Sequence, residues 1–218
     1  MNAIRNPHLA AALGLVLAGG LAAAPAAFAQ DTGASGKRFA IVGGYAHQEP
    51  TGNATLDGAE AEFDGTGAPT LSASYYINDH IAIEAWGAAD KFQHRVTTAA
   101  DGKVATAAAQ PYALSAQYHV REGGETIRPF VGLGYYQSNF SEEDQDDIGP
   151  YADHHIGIES PEGPMATVGV DLNITEHVFA RADARYLHGS SDIAVDGTEA
   201  GEADLNPVVI GVGIGARF

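Results

Sequence analysis

Apolar and polar residues alternate with a period of two along most of the chain. In the last segment Val208, Ile210, Val212, Ile214, Ala216 and Phe218 make one series, and Val209, Gly211, Gly213, Gly215 and Arg217 make the other. Neighbouring side chains of an extended strand point to opposite faces, so this period predicts a strand. The pattern recurs with charge in the second series. Val178, Ala180, Ala182, Ala184 and Tyr186 alternate with Phe179, Arg181, Asp183, Arg185 and Leu187. Ala166, Val168, Val170, Leu172 and Ile174 alternate with Thr167, Gly169, Asp171 and Asn173. Four further segments follow the rule, at 70–77, 81–86, 114–120 and 127–136, and a less regular one lies near 38–47.

Eight strands of about ten residues suit tilted membrane-spanning strands. Their connections alternate in length. Asn78–His80, Arg121–Thr126 and Thr175–His177 are short, whereas Gln48–Gly67, Gln93–Ala109, Ser141–Glu162 and Ser191–Leu205 are long. Short turns at one end and long loops at the other are the outer-membrane arrangement. Pro69, Pro111, Pro129, Pro164 and Pro207 fall near strand starts, where a missing N–H is tolerated. The expected fold is all-β, an eight-stranded antiparallel transmembrane β-barrel.

Period alone does not say which series faces outward; a lipid carrier with an apolar interior shows the same alternation. Three features favour apolar-out. Phe218 ends the last strand in the apolar series. Tyr75, Tyr118 and Tyr186 stand near strand ends in that series, as an interfacial girdle does. The opposite series is rich in glycine, which a narrow eight-stranded lumen needs.

The first residues predict export. Arg5 precedes an apolar run from Leu9 to Ala27, and Ala27-Phe28-Ala29 has the small-x-small form of a cleavage site. Residues 1–29 therefore read as a cleaved signal peptide and 30–218 as the barrel, which places the protein in the outer membrane of a Gram-negative-type cell. Of the 218 residues none is Cys, which excludes disulfides and thiolate metal sites. A net charge of −17 argues against nucleic acid as a partner. The stretch from Ser141 to Asp147 holds five carboxylates in seven residues, a solvated loop by default and a weak cation candidate. His154-His155 lacks further ligands at a useful spacing, so no metal or cofactor is expected. Ser138, Ser190 and the histidines are not paired by spacing, and no enzymatic activity is expected.

Several segments in order and spacing resemble the OmpW family. They are Arg128-Pro129-Phe130-Val131-Gly132-Leu133-Gly134, Pro111 to His119, Gly169-Val170-Asp171, Asp183-Ala184-Arg185-Tyr186, and Asn206-Pro207 through Gly215-Ala216-Arg217-Phe218. The resemblance covers nearly all of the mature chain. It implies an eight-stranded outer-membrane barrel passing small hydrophobic molecules, with an alkane-uptake protein among its relatives. The family often ends Tyr-Arg-Phe, and here Ala216 stands first. Its apolar constriction aligns with Trp86, while the aromatic that opens the sixth strand is replaced by Glu162, and Asn206 stands where Asp is common.

The expected function is passive uptake of small hydrophobic solutes, leaving sideways into the bilayer because charge blocks the lower lumen. The alternative is a structural or adhesion barrel whose acidic loops bind cations, lipopolysaccharide or a partner. Trp86, Phe130, Tyr136, Phe179 and Leu187 are the expected apolar pocket or gate. Glu84, Arg128, Arg181, Asp183, Arg185 and Arg217 are the expected charge plug, paired because isolated buried charge is costly, with Asp183 serving both arginines beside it. Phe218 is the expected assembly signal. The expected partners are outer-membrane lipid and lipopolysaccharide, the barrel-assembly machinery and the solutes themselves.

Overall fold

The computed structural model describes residues 34, 36–51, 54–56, 59–63, 65–98, 102–145, 156–158, 160–189, 191–195, 198–203 and 206–218, the outer segments by backbone pairing alone. Residues 1–29, expected as a signal peptide, and Asp146, Asp147, His154-His155 and Ser190 lie outside them. Fourteen strands run in chain order: β1 Phe39–Glu49, β2 Ala54–Leu56, β3 Ala59–Phe63, β4 Thr66–Tyr76, β5 Ile81–Ala88, β6 Phe92–Thr98, β7 Gly102–His119, β8 Ile127–Gln145, β9 Ile156–Ile158, β10 Glu162–Asn173, β11 Val178–Leu187, β12 Ser191–Val195, β13 Thr198–Ala203 and β14 Val208–Arg217.

Eight of these close into the expected antiparallel barrel, in the order β1, β4, β5, β7, β8, β10, β11, β14 and back to β1. The closing seam runs from Ala40 opposite Arg217 to Glu49 opposite Val208. It is locked at its end by two backbone hydrogen bonds of 2.9 Å between Phe39 and Phe218. Closure leaves no free edge, which is what lets strands cross a bilayer.

The short turns and both barrel ends of the chain lie together. Local side chains fix these turns: Asn78 Oδ1 accepts the N–H groups of His80 and Ile81 at 2.9 and 2.8 Å, and Thr175 Oγ1 accepts that of Val178 at 2.9 Å. At the other end the structure departs from the expectation of plain loops. β7 and β8 continue to 18 and 19 residues, nearly twice the expected length. The loops themselves pair: β6 joins the outer half of β7, followed by β3, β2, β13, β12 and β9. The barrel thus carries a second tier of sheet on its outer side.

The burial pattern settles the orientation of the wall. Leu133, Val168, Ile210, Val212 and Ile214 stand outside at 57–74 % exposure, whereas Glu84, Arg128, Arg181 and Arg185 are inside at 0–3 %. Apolar-out with charge buried inside is the inverse of a water-soluble barrel and the form a bilayer requires. Phe39, Tyr75, Tyr118 and Phe218 ring the outer surface at the short-turn end, and Tyr45, Tyr135 and Tyr186 stand higher up. These are the two aromatic girdles of a membrane band. Glycine on the inner face makes room for bulk beside it. A Cβ at Gly169 would strike the Phe130 ring, and one at Gly215 the Phe179 ring. With the short turns periplasmic, an epitope tag within 141–147 is expected to bind antibody on intact cells; labelling restricted to permeabilised cells would reverse this orientation.

Candidate functional site

The lumen holds an alternating chain of three arginines and three carboxylates. Arg217 Nη2 donates to Asp171 Oδ2 at 2.7 Å. Arg181 grips the same carboxylate twice, Nε to Oδ1 at 2.7 Å and Nη2 to Oδ2 at 3.1 Å. Its Nη1 reaches across the lumen to Glu84 Oε2. Arg185 Nη1 donates to the other oxygen, Glu84 Oε1, at 2.8 Å, and its Nε to Asp183 Oδ1 at 2.9 Å. The formal charges cancel, and every group except Asp183 is almost completely buried. Arg181, Asp183 and Arg185 meet because residues two apart on β11 share a face; Glu84 comes from β5, on the far side of the barrel. Such a network is tolerated in low dielectric only because each charge has both a counter-ion and hydrogen bonds.

Two expectations are corrected here. Asp183 serves Arg185 alone, while Arg181 is neutralised by Asp171 and Glu84. Asp171, absent from the expected set, is central because it bridges two arginines; its place in the inward series of β10 was the available signal. Arg128 does not join the chain of ion pairs. Its Nη2 donates to the Asp79 backbone oxygen at 2.7 Å and its guanidinium stands 5.5 Å from the Tyr76 ring, so it ties a periplasmic turn to the lumen floor.

The five expected pocket residues divide into two levels. Trp86, Tyr136 and Leu187 pack with Ala88, Phe92 and Met165 in one buried apolar layer on the outer side of the charges. Arg185 lies 4.6 Å over the Trp86 ring, so Trp86 is the boundary between layer and plug. Phe130 and Phe179 lie on the periplasmic side instead. Arg217 stacks 4.0 Å from the Phe179 ring and Arg181 4.7 Å from the Phe130 ring. They brace the guanidiniums from below and are separated from the apolar layer by the plug. Phe92 and Met165 complete that layer; Phe92 was missed because it stood next to a stretch read as loop.

The wall beside this layer has a weak point. The β5–β7 ladder ends at Gly87 opposite Tyr112, and the β6–β7 ladder starts at Phe92 opposite Ala109. Between them stands Pro111, which has no N–H to give. The Ala88 carbonyl is met instead by the Gln110 side-chain amide at 3.2 Å.

A family model described as the OmpW family matches residues 38–218, the whole barrel. The chain belongs to the OmpW family. Outer membrane protein W of Salmonella typhimurium is 31 % identical over 118 residues, 54 % of this chain and 55 % of that protein. The chain thus spans about half the length of the curated relatives with this name from Salmonella and Escherichia coli. An outer-membrane protein of Sinorhizobium fredii is 26 % identical over 75 % of this chain and 71 % of its own length. Among solved structures, OprG of Pseudomonas aeruginosa superposes with a TM-score of 0.72 at 24 % identity, covering 84 % of this chain and 96 % of that one. AlkL in lipid bilayers gives 0.63 at 17 %, covering 90 % and 95 %. These structures share the fold. As a member of this family the protein is an outer-membrane barrel.

Two departures from the OmpW pattern have a structural place. Glu162 is exposed on the outside of the wall, where its Oε1 accepts the Tyr135 hydroxyl at 3.2 Å, so it does not put charge into the apolar layer. Asn206 adopts φ 36°, the left-handed region that Asn enters more readily than most residues, and its Oδ1 accepts the Gly189 N–H at 3.2 Å. It pins the end of β11 to the start of β14.

Proposed function

We propose that this OmpW-family barrel takes up small hydrophobic molecules from outside the cell and releases them sideways into the outer membrane. The observation that carries this reading is the coincidence of three features at one height: a continuous apolar layer, an ion-paired plug directly beneath it, and a wall whose ladder is broken at Pro111 beside it. A hydrophobic solute reaching the layer meets fully paired charge below, whose separation costs several kcal/mol. The route of least cost is through the wall, where one backbone N–H is missing and the Gln110 side chain stands in for it.

The outer tier supports the same reading. By backbone register Val96, Phe63, Ala61, Ala54, Ala203, Gly201, Ile193 and Ile158 form one row of partnered or two-apart positions, which reaches Phe92 through His94. Glu60, Glu62, Asp192 and Glu202 occupy the alternate positions. The tier is an amphipathic sheet whose apolar series continues from the buried Phe92. The test is uptake of a panel of small apolar solutes into liposomes holding the folded barrel. Pro111→Ala, which restores an N–H to the ladder, is expected to lower uptake several-fold while folded yield holds. Uptake equal to wild type would sink lateral release and leave the acidic tier as an adhesion or cation-binding surface.

Phe218 is proposed as the signal read by the barrel-assembly machinery. It also stacks on Phe39 at 6.1 Å and closes the seam. Its deletion is expected to reduce the heat-modifiable, folded fraction on a gel more than Phe179→Ala; equal folded yields would remove that role. Export by a cleaved signal peptide over residues 1–29 belongs to the same proposal and is checked by the N-terminal sequence of the mature protein.

A further inference from the structure

Beside the fully paired plug runs a strip of buried polar groups that the protein leaves unpaired. Ser115, Gln117 and His119 occupy successive inward positions of β7 and are 3 %, 2 % and 0 % exposed. Neither the Ser115 hydroxyl, nor either end of the Gln117 amide, nor either His119 ring nitrogen has a hydrogen-bond partner, and the same holds for Thr167 Oγ1 on β10. Gln117 lies within hydrogen-bonding reach of the Glu84 carboxylate, with loose geometry, so Ser115, His119 and Thr167 carry the clearly unpaired groups. A buried polar atom left unpaired is costly, and Ser115, His119 and Thr167 together contribute four.

The groups are also arranged as a line. Residues two apart on a strand are separated by about 6.6 Å, a distance that lies between the reach of one bridging water and that of two. The glycines of the facing strand are covered by these side chains: a Cβ at Gly134 would stand 2.6 Å from the Ser115 Cβ, and one at Gly132 3.3 Å from the Gln117 Cγ. Gly134 stands opposite Ser115, Gly132 stands opposite Gln117, and Thr167 stands opposite Gly132 on its other side. His119 ends β7 at the periplasmic turn, its ring held between Tyr76 and Phe130 at 5.4 and 5.1 Å. Ser115, at the other end, stands opposite Glu84 in the ladder. One step above it Ala113 faces Trp86, and the apolar layer begins.

We propose that Ser115, Gln117, His119 and Thr167 hold a file of water molecules along the inner face of β7, fed from the periplasm and stopped at its top by Trp86. Buried waters make about three hydrogen bonds each to groups that are otherwise unsatisfied, which is what this strip offers. The file makes one flank of the plug a hydrated half-channel. Water and protons reach Glu84 from the periplasmic side, and the apolar layer alone keeps them from crossing. The opposite flank, under Gly44, Gly211 and Gly213, holds a small cavity beside Asp183.

The test is water-edited solid-state NMR on the full chain in lipid bilayers, labelled with ¹⁵N at histidine and glutamine. The His119 and Gln117 signals are assigned by their loss in His119→Gln and Gln117→Leu. Both side chains are expected to receive magnetisation from water as quickly as exposed side chains do, despite their burial. No transfer to either, or transfer to His119 without Gln117, overturns the file. A second readout is stability. In a dry lumen, Thr167→Val removes an unpaired hydroxyl and raises the unfolding temperature; in a hydrated file it removes a water contact and lowers it. A raised temperature overturns the proposal. Should Gln117→Leu fail to fold, the wild-type transfer, with the Gln117 signal assigned by sequential correlation in a uniformly labelled sample, decides it.

Discussion

Glu84→Gln lowers the stability of the folded barrel by about 3–5 kcal/mol, and Asp183→Asn by about 1 kcal/mol or less. Glu84 is the bridge between Arg181 and Arg185 and is fully buried. Without its charge, two guanidiniums from β11 share the lumen with one fewer counter-ion, and neither can lose its proton. Asp183 holds one bond to Arg185, is 10 % exposed, and leaves Arg185 its bond to Glu84 when it is removed. The measurement is denaturant unfolding in vesicles. The double change Glu84→Gln with Arg185→Gln is expected to cost less than the sum of the single changes, because the second removes the charge the first left unpaired. Added salt is expected to change these differences little, since buried pairs are weakly screened. Additive losses would show that the groups do not form one network.

Trp86→Ala costs about 3–5 kcal/mol, the range for truncating a large buried aromatic. Trp86 is 4 % exposed, fills the boundary between plug and apolar layer, and presents its ring to Arg185. Part of the loss is the cavity and part the cation–π contact, worth about 0.5–2 kcal/mol. Trp86→Phe keeps a ring and is expected to recover more than half. The change also distinguishes two roles. If Trp86 is the floor on which a solute rests, uptake per folded barrel changes along with stability. If it only fills space, the unfolding midpoint falls and uptake per folded barrel stays at the wild-type value, which would take Trp86 out of the proposed pathway.

Much of the site was legible as a face and little of it as a height. The period of two placed Glu84, Arg181, Asp183, Arg185 and Arg217 in the lumen because parity along a strand is local. It put Phe130 and Phe179 on that same face. It could not show that they lie below the charges while Tyr136 and Leu187 lie above, since height depends on the stagger between strands. Asp171 sat in the inward series as plainly as Asp183. Asp183 attracted the pairing because it lies two residues from both arginines, whereas the acid Arg181 uses comes from the neighbouring strand. The outer tier was visible in principle. Ala59-Glu60-Ala61-Glu62-Phe63 alternates as cleanly as any barrel strand. Its apolar residues are mostly alanine, which carries too little hydrophobic area to mark a strand unless a partner strand is known.

The sequence by itself determined what depends on neighbours along the chain: the strands, the sidedness of the wall, the short turns at Asn78 and Thr175, and the membrane as the solvent outside. Alternation, turn chemistry and net composition are local properties, and they suffice once every strand must bury one face and give the other to lipid. Tertiary structure alone decided which charges meet, which aromatics stand on which side of them, and where the ladder of the wall is interrupted. Those follow from register and closure, through which β5 is brought opposite β11 and Glu84 reaches two arginines about a hundred residues away. Contacts of that separation leave no periodic trace, because pairing is set by the stagger of eight strands around a closed ring and not by the order of residues along any one of them.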